Sequence, residues 1–219
     1  MVIRFYGHSL FTFELDSGRT ILTDPYGVFY DYPVQTIAAD VVTISHHHHD
    51  HDAVSMVGGT PVIVDRVGVH TPFPGLRITG IPTKHDEVGG AKRGDNIVFI
   101  IEAEGLRIVH LGDLGHLLTD EQSAAIGTPD VLLTPVGGTY TTDAQTAAAN
   151  VHRLQARVTI PMHYQTSYSQ AMPITTEKPF LLCMKSDAAA MPLCRITAGD
   201  ILQRPPVLLL SVTAAAVTP

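Results

Sequence analysis

The chain has 219 residues, 45% of them apolar and 16% charged, a balance that excludes a disordered chain and fits one compact domain with a sizeable core. Its 14 basic and 21 acidic side chains give a net charge of −7, which offers no chain-wide positive field to a nucleic-acid backbone. The longest apolar run, Val207–Leu210 and on toward Val217, is far below the roughly 20 residues of a membrane-crossing helix, and MVIRFYGHSL is no basic leader, so a cytoplasmic protein without a membrane partner is expected.

In chain order, residues 2–15 alternate well enough to form a strand, and Asp16-Ser17-Gly18 supplies a hairpin turn before a second run at Thr20–Thr23. A loop rich in Tyr, Pro and Asp (24–33) leads to VVTIS at 41–45, which stops at a histidine cluster. Further strands are expected at 61–66, 76–81, 96–102 and 106–112, the last two joined as a hairpin through Ala103-Glu104-Gly105. The second half changes to strand–helix alternation: a helix at 119–126, a strand at 130–136, and an Ala-rich helix at 142–155 with Thr142 and Gln145 as a capping box. A strand at 157–162, a helical segment at 179–185 and a strand at 194–197 follow. Two strand-rich halves with helices outside predict an α/β layered sandwich whose ligands gather at strand ends between the halves. The domain is expected to span 1–204, with 205–219 an apolar tail that a homo-oligomer would cover.

Twelve histidines and no tryptophan point to metal or acid–base chemistry, whereas Cys183 and Cys194 lack CxxC spacing and read as small buried thiols of a reducing compartment. In TISHHHHDH, His46, His48, Asp50 and His51 stand in the order H-x-H-x-D-H directly after a strand. Histidines two apart on an extended segment point the same way, and the Asp-His pair that follows can turn toward a second ion. His47 and His49 then face away. Three more candidate ligands end apolar runs in the same manner: His85, Asp113 and His163. Seven N/O donors without a thiolate suit Zn²⁺, Mn²⁺ or Fe.

These motifs resemble, in order, the successive ligand motifs of the metallo-β-lactamase fold superfamily. GHS at 7–9, HDEVGGAKRGDN at 85–96, HLGDLGH at 110–116, PVGGTYT at 135–141 and IPMHY at 160–164 resemble its small zinc-dependent hydrolase group, which includes L-ascorbate-6-phosphate lactonase. The resemblance implies a four-layer αβ/βα sandwich, with one metal on His46, His48 and His85, a second on Asp50, His51 and His163, Asp113 bridging both, and a hydroxide between the ions. Zinc is the implied metal, and the implied function is hydrolysis of a small anionic lactone or phosphoester.

Asp50, Asp113 and His116 are the catalytic candidates. His116 and Tyr164 stand beside ligands and could donate a proton or support the site, and His8 could be a packing histidine or part of it. Lys84, Lys92 and Arg93 could read an anionic group from a segment made mobile by Gly89, Gly90 and Gly94. Gly137-Gly138 suits either backbone N–H donors near the metals or a tight turn. Two alternatives stand beside the hydrolase: a non-catalytic metal-binding module on the same fold, and a phosphodiesterase or nuclease. A redox di-iron enzyme is disfavoured by His48.

Overall fold

The computed structural model describes residues 1–33 and 36–214. In chain order the strands are β1 (Val2–Gly7), β2 (Leu10–Glu14), β3 (Thr20–Thr23), β4 (Ile37–Ala38), β5 (Val41–Thr43), β6 (Val57–Gly58), β7 (Val62–Val64), β8 (Gly68–Phe73), β9 (Leu76–Lys84), β10 (Asp95–Ala103), β11 (Leu106–His110), β12 (Val131–Pro135), β13 (Val158–Met162), β14 (Ala190–Met191), β15 (Cys194–Arg195) and β16 (Leu209–Leu210). The helices are α1 (Asp120–Ile126), α2 (Ala144–Leu154) and α3 (Lys178–Cys183). Among the described residues no helix is long and apolar enough to cross a membrane.

Two six-stranded sheets run in the orders β15-β1-β2-β3-β5-β7 and β13-β12-β11-β10-β9-β8. Each combines three antiparallel pairings with two parallel ones: β3-β5 and β5-β7 in the first, β11-β12 and β12-β13 in the second. Period-two alternation decides which face each side chain joins. Ile3, Phe5, Phe11, Phe13, Ile21 and Val41 point into the core shared with Ile78, Val98, Ile100 and Ile108 of the other sheet. Their neighbours Tyr6, Leu10, Leu22 and Val42 point the opposite way, into a second cluster with Tyr26, Phe29, Tyr32 and Met172. The second sheet carries the helices, α1 against β9 and α2 against β12, so the α/β sandwich has its full helical layer on that side and the aromatic cluster over the other.

Several local expectations change. The run at 2–15 is a hairpin rather than one strand, because Gly7 (φ 105°) and His8 (φ 55°) turn the chain, and a Cβ at Gly7 would overlap the Tyr32 ring. The cap of α2 is Asp143, whose carboxylate accepts from the Thr146 N–H at 2.8 Å, since the Thr142 hydroxyl donates instead to the Pro135 carbonyl. The capping box belongs to α1, through Thr119 and Gln122. Cys183 is exposed, whereas Cys194 is buried. Beyond Arg204, Val207, Leu208, Leu209 and Leu210 are all buried in the main core, and β16 pairs with β14. Val207–Leu210 are covered by this chain itself and offer no surface to a homo-oligomer; residues 215–219 of the expected tail lie outside the described residues.

Candidate metal centre

The site collects at the carboxyl ends of strands, where parallel pairing leaves an open crevice. His46, His48, Asp50 and His51 follow β5, His85 follows β9, Asp113 follows β11 and His163 follows β13. The Oδ2 atom of Asp113 lies 3.3 Å from Nε2 of His51, 3.3 Å from Nε2 of His85 and 3.1 Å from Nε2 of His163. One carboxylate oxygen thus gathers histidines from three separate strand ends. His46, His48 and His85 have ligand atoms within 4.8 Å of one another, as do His46, His51 and Asp113, and likewise His8, His51 and His163.

The last of these groups differs from expectation. His8, at the β1–β2 turn, has Nε2 3.1 Å from Nε2 of His51 and 3.2 Å from Oδ2 of Asp50, while Asp50 Oδ2 is 3.8 Å from the His51 nitrogen. The turn at Gly7-His8 therefore brings a histidine into the cluster, with Asp50 held against it. His47, His48 and His49 are all exposed, so exposure does not set the candidate ligand His48 apart from its neighbours, and His49 lines the cavity beside it.

Residues other than the candidate ligands hold them in place. Asp24, wholly buried at the end of β3, accepts from the Ser45 N–H at 2.8 Å and the Ser45 hydroxyl at 2.7 Å, and from Nδ1 of His51 at 3.0 Å. A carboxylate only accepts, so Nδ1 of His51 carries a proton; the Ser45 hydroxyl, being spent on Asp24, accepts from Nδ1 of His46 at 2.9 Å. Asn96 accepts the Asp113 N–H at 2.8 Å and donates to Leu111 O and Thr83 Oγ1, tying the ends of β9 and β11 together. Any Cβ at Gly112 would overlap Asn96 and Ser45, and its φ of 55° also favours glycine. His110 is a buried strut: it donates from Nε2 to Ser9 O at 3.0 Å and accepts the Gly112 N–H at Nδ1. Asn96 closes the motif at 85–96, whereas Asp24 belongs to no motif, yet Asp24 obeys the same rule as the candidate ligands, a polar residue directly after an apolar run.

The electrostatics follow from burial and these contacts. Desolvation pushes His46 down to about 3 and His8 to about 4, with His51 adding repulsion at both and His163 a larger share at His8. Burial also disfavours charge on His51, but Asp113 and Asp24, one at each ring nitrogen, outweigh it and hold His51 well above the ordinary range. Asp113 is held well below the carboxylate range, its burial overcome by His163 and His51.

The donors fit a metal. His46 Nε2 and Asp113 Oδ1 are buried without a hydrogen-bond partner, and an orphaned buried acceptor is costly unless a cation is there to satisfy it. Six clustered histidines and a shared carboxylate, all N and O, match borderline divalent ions.

Other candidates fall away or change role. His116 has both ring nitrogens committed to backbone, Nε2 accepting the Lys84 N–H at 3.2 Å and Nδ1 donating to Leu117 O at 2.9 Å, and it does not line the cavity. It is a loop brace, not a proton donor. Tyr164 is buried with its hydroxyl directed at Leu210 O at 3.5 Å, so it supports the C-terminal strand. Gly137 and Gly138 donate their N–H groups to His163 O and Thr142 O, which is the tight-turn role. The 86–93 loop is stapled rather than mobile: the Asp86 carboxylate accepts from the N–H groups of Val88, Gly90, Lys92 and Arg93. Burial raises the Asp86 carboxyl, but those four donors outweigh it and hold it below the usual range. Lys84 pairs with Asp95 and Lys92 with Glu87, which leaves Arg93 as the cation of the three that lines the cavity.

The family model described as beta-lactamase superfamily domain matches residues 2–163. A UPF0173 metal-dependent hydrolase from Methanosphaera stadtmanae is 33% identical over 205 residues, covering 76% of this chain and 85% of that one. A crystal structure from Thermotoga maritima, named as a Zn-dependent hydrolase of the metallo-β-lactamase superfamily, superposes with a TM-score of 0.78 at 36% identity, covering 96% and 98% of the two chains. A metallo hydrolase from Ignicoccus hospitalis shares the fold with a TM-score of 0.65 at 22% identity, covering 90% and 99%.

Proposed function

The chain belongs to the beta-lactamase superfamily, and on that premise we propose that it is a metal-dependent hydrolase of a small anionic ester, lactone or phosphoester, working with two divalent ions. The observation that carries the reading is Asp113, with one oxygen among three strand-end histidines and the other buried without a partner. In this reading His46, His48 and His85 hold one ion, Asp50, His51 and His163 the other, and Asp113 is common to both. Zinc is the first choice for this donor set, with manganese and iron compatible. When bound, the two ions supply Lewis acidity and a water acidified toward neutrality.

The chain's own residues do the rest. Asp24 and Ser45 keep the protons of His51 and His46 on Nδ1, which frees each Nε2 to bind. Asn96 and His110 fix the turn that presents Asp113. His8 holds Asp50 in place, and Asp50 with Asp113 forms the catalytic carboxylate pair. Free Cys183 and Cys194 support a reducing, cytoplasmic setting.

The test is zinc-loaded protein against a panel of esters, lactones and phosphodiesters, with chelator controls. Chelator-sensitive turnover of at least one class is expected. Two tightly bound ions with no turnover anywhere on the panel would turn the reading to a non-catalytic metal-binding module.

A further inference from the structure

We propose that the substrate is an amphipathic monoanion, an ester or lactone whose single carboxylate is read by Arg93 and whose aryl or alkyl portion rests on Val28, Phe29, Tyr30 and Met172. The proposal rests on the hydrolase reading and narrows its substrate class. The cavity over the metal centre has a volume of about 620 Å³, the size of a site for a small organic molecule.

Outside the histidine and aspartate cluster, its walls divide by chemistry. On the apolar side stand Val28, Phe29, Tyr30 and Met172. Val28 is 84% exposed and Tyr30 42% exposed, so this lip holds hydrocarbon in water that a ligand would cover. Phe29 and Met172 lie in the aromatic cluster beneath, which makes the floor of the lip rigid. On the polar side, Arg93 is half-buried, and among the described residues it has no carboxylate within ion-pair distance. Its backbone is fixed by Asp86, its Nη2 donates to Thr139 O at 2.8 Å, and its guanidinium lies 5.6 Å from the Tyr140 ring centroid. This guanidinium is therefore pre-positioned at the cavity with donors to spare.

Charge and hydrogen-bonding capacity select the class. A phosphomonoester brings nearly two negative charges and a sugar several hydroxyls, and each buried group without a partner is penalised. One guanidinium matches one carboxylate, and rings with a thioether match hydrocarbon, not hydroxyls.

The test begins with calorimetry on the zinc-loaded protein, using 4-phenylbutyrate, its neutral amide, acetate and glucose 6-phosphate. Phenylbutyrate is expected to bind about tenfold or more tightly than the amide, and Arg93→Gln is expected to erase that preference. Val28→Ser, at an exposed position that folding does not need, is expected to weaken phenylbutyrate about threefold relative to acetate. Wild-type binding of phenylbutyrate by Arg93→Gln, or tighter binding of glucose 6-phosphate, overturns the proposal. The second arm compares kcat/KM for a carboxylate-bearing aryl ester with that for its methyl ester, and the ratio is expected to collapse in Arg93→Gln. Arg93-dependent binding without hydrolysis of any ester upholds this proposal and removes the hydrolase reading; hydrolysis whose anion preference ignores Arg93 does the reverse.

Discussion

Replacing Asp24 with asparagine perturbs the metal centre from a residue that is not one of its ligands. The carboxylate is wholly buried, and its Oδ1 accepts the Ser45 N–H while Oδ2 accepts both the Ser45 hydroxyl and the His51 ring. In Asp24→Asn the amide oxygen must stay with the immobile backbone N–H, which turns the NH₂ toward two donors. Relief comes only if His51 and Ser45 accept, and then Nδ1 of His51 loses its proton to Nε2, with Nδ1 of His46 following through Ser45. Protonated Nε2 atoms do not ligate, so zinc affinity should fall roughly 10- to 100-fold. Two hydrogen bonds to a charged group are lost, a cost of about 3–5 kcal/mol. For a chain of this size that is a Tm lower by roughly 6–20 °C. The pH dependence has a definite sign. Asp24 is held below its ordinary value by His51 against the opposing effect of burial, so its stabilisation is full above about pH 4 and is lost in more acid solution. His51 is raised, so its share is full below about pH 6.5 and is lost as pH rises through its folded value. The gap between wild type and Asp24→Asn should therefore be widest between about pH 4 and 6.5. Thermal unfolding with chelator and a competitive zinc titration measure both effects. An asparagine variant with wild-type Tm and zinc affinity would refute the argument that Asp24 sets the histidine protons.

Asp113→Asn should lose the second ion and turnover and should also lower the metal-free Tm by an amount comparable with Asp24→Asn, because its carboxylate is paired with His51 and His163 without any metal, while Leu106, Ile108, Val109 and Leu111 still bury the strand and let the chain fold; metal content and paired Tm values check this. Asp86→Asn should loosen the 86–93 loop, read as faster amide exchange at Val88, Gly90, Lys92 and Arg93. In the wild type, the lowered Asp86 pKa means that this protection is full above about pH 4 and is lost only as pH falls through the folded value, well below the ordinary carboxylate range, whereas uniform exchange in both proteins would remove the staple. Truncation after Arg204 removes Val207, Leu208, Leu209 and Leu210 from the core, at about 1.5–3 kcal/mol each as an upper bound, and should give insoluble or unfolded protein; a soluble product with unchanged Tm would show those contacts to be dispensable.

The histidine–aspartate cluster was legible because H-x-H-x-D-H, His85, Asp113 and His163 each interrupt an apolar run, and the crevice lies where such runs end. The hairpin at Gly7-His8 was not, since apolar residues continue across it and the turn depends on the left-handed backbone of two residues. His116 was misread for a related reason: its position beside Asp113 is visible in sequence, but the backbone groups that occupy its ring come from Lys84 and Leu117. Asp24 stood in plain sight after Thr20–Thr23, yet its bonds to Ser45 and His51 span 21 and 27 positions and follow only from the parallel pairing of β3 with β5. The apolar lip at Val28–Tyr30 carries no motif, because covering a ligand requires only hydrocarbon in the right place.

The most direct measurement is elemental analysis of wild type, His46→Ala and His51→Ala after zinc loading and removal of free metal. Two ions bound by the wild type are predicted, with each variant losing chiefly one, since the proposed assignment puts His46 with His48 and His85 and His51 with Asp50 and His163. A wild type that holds a single ion, or variants that both retain two with wild-type affinity, would contradict a binuclear centre shared through Asp113.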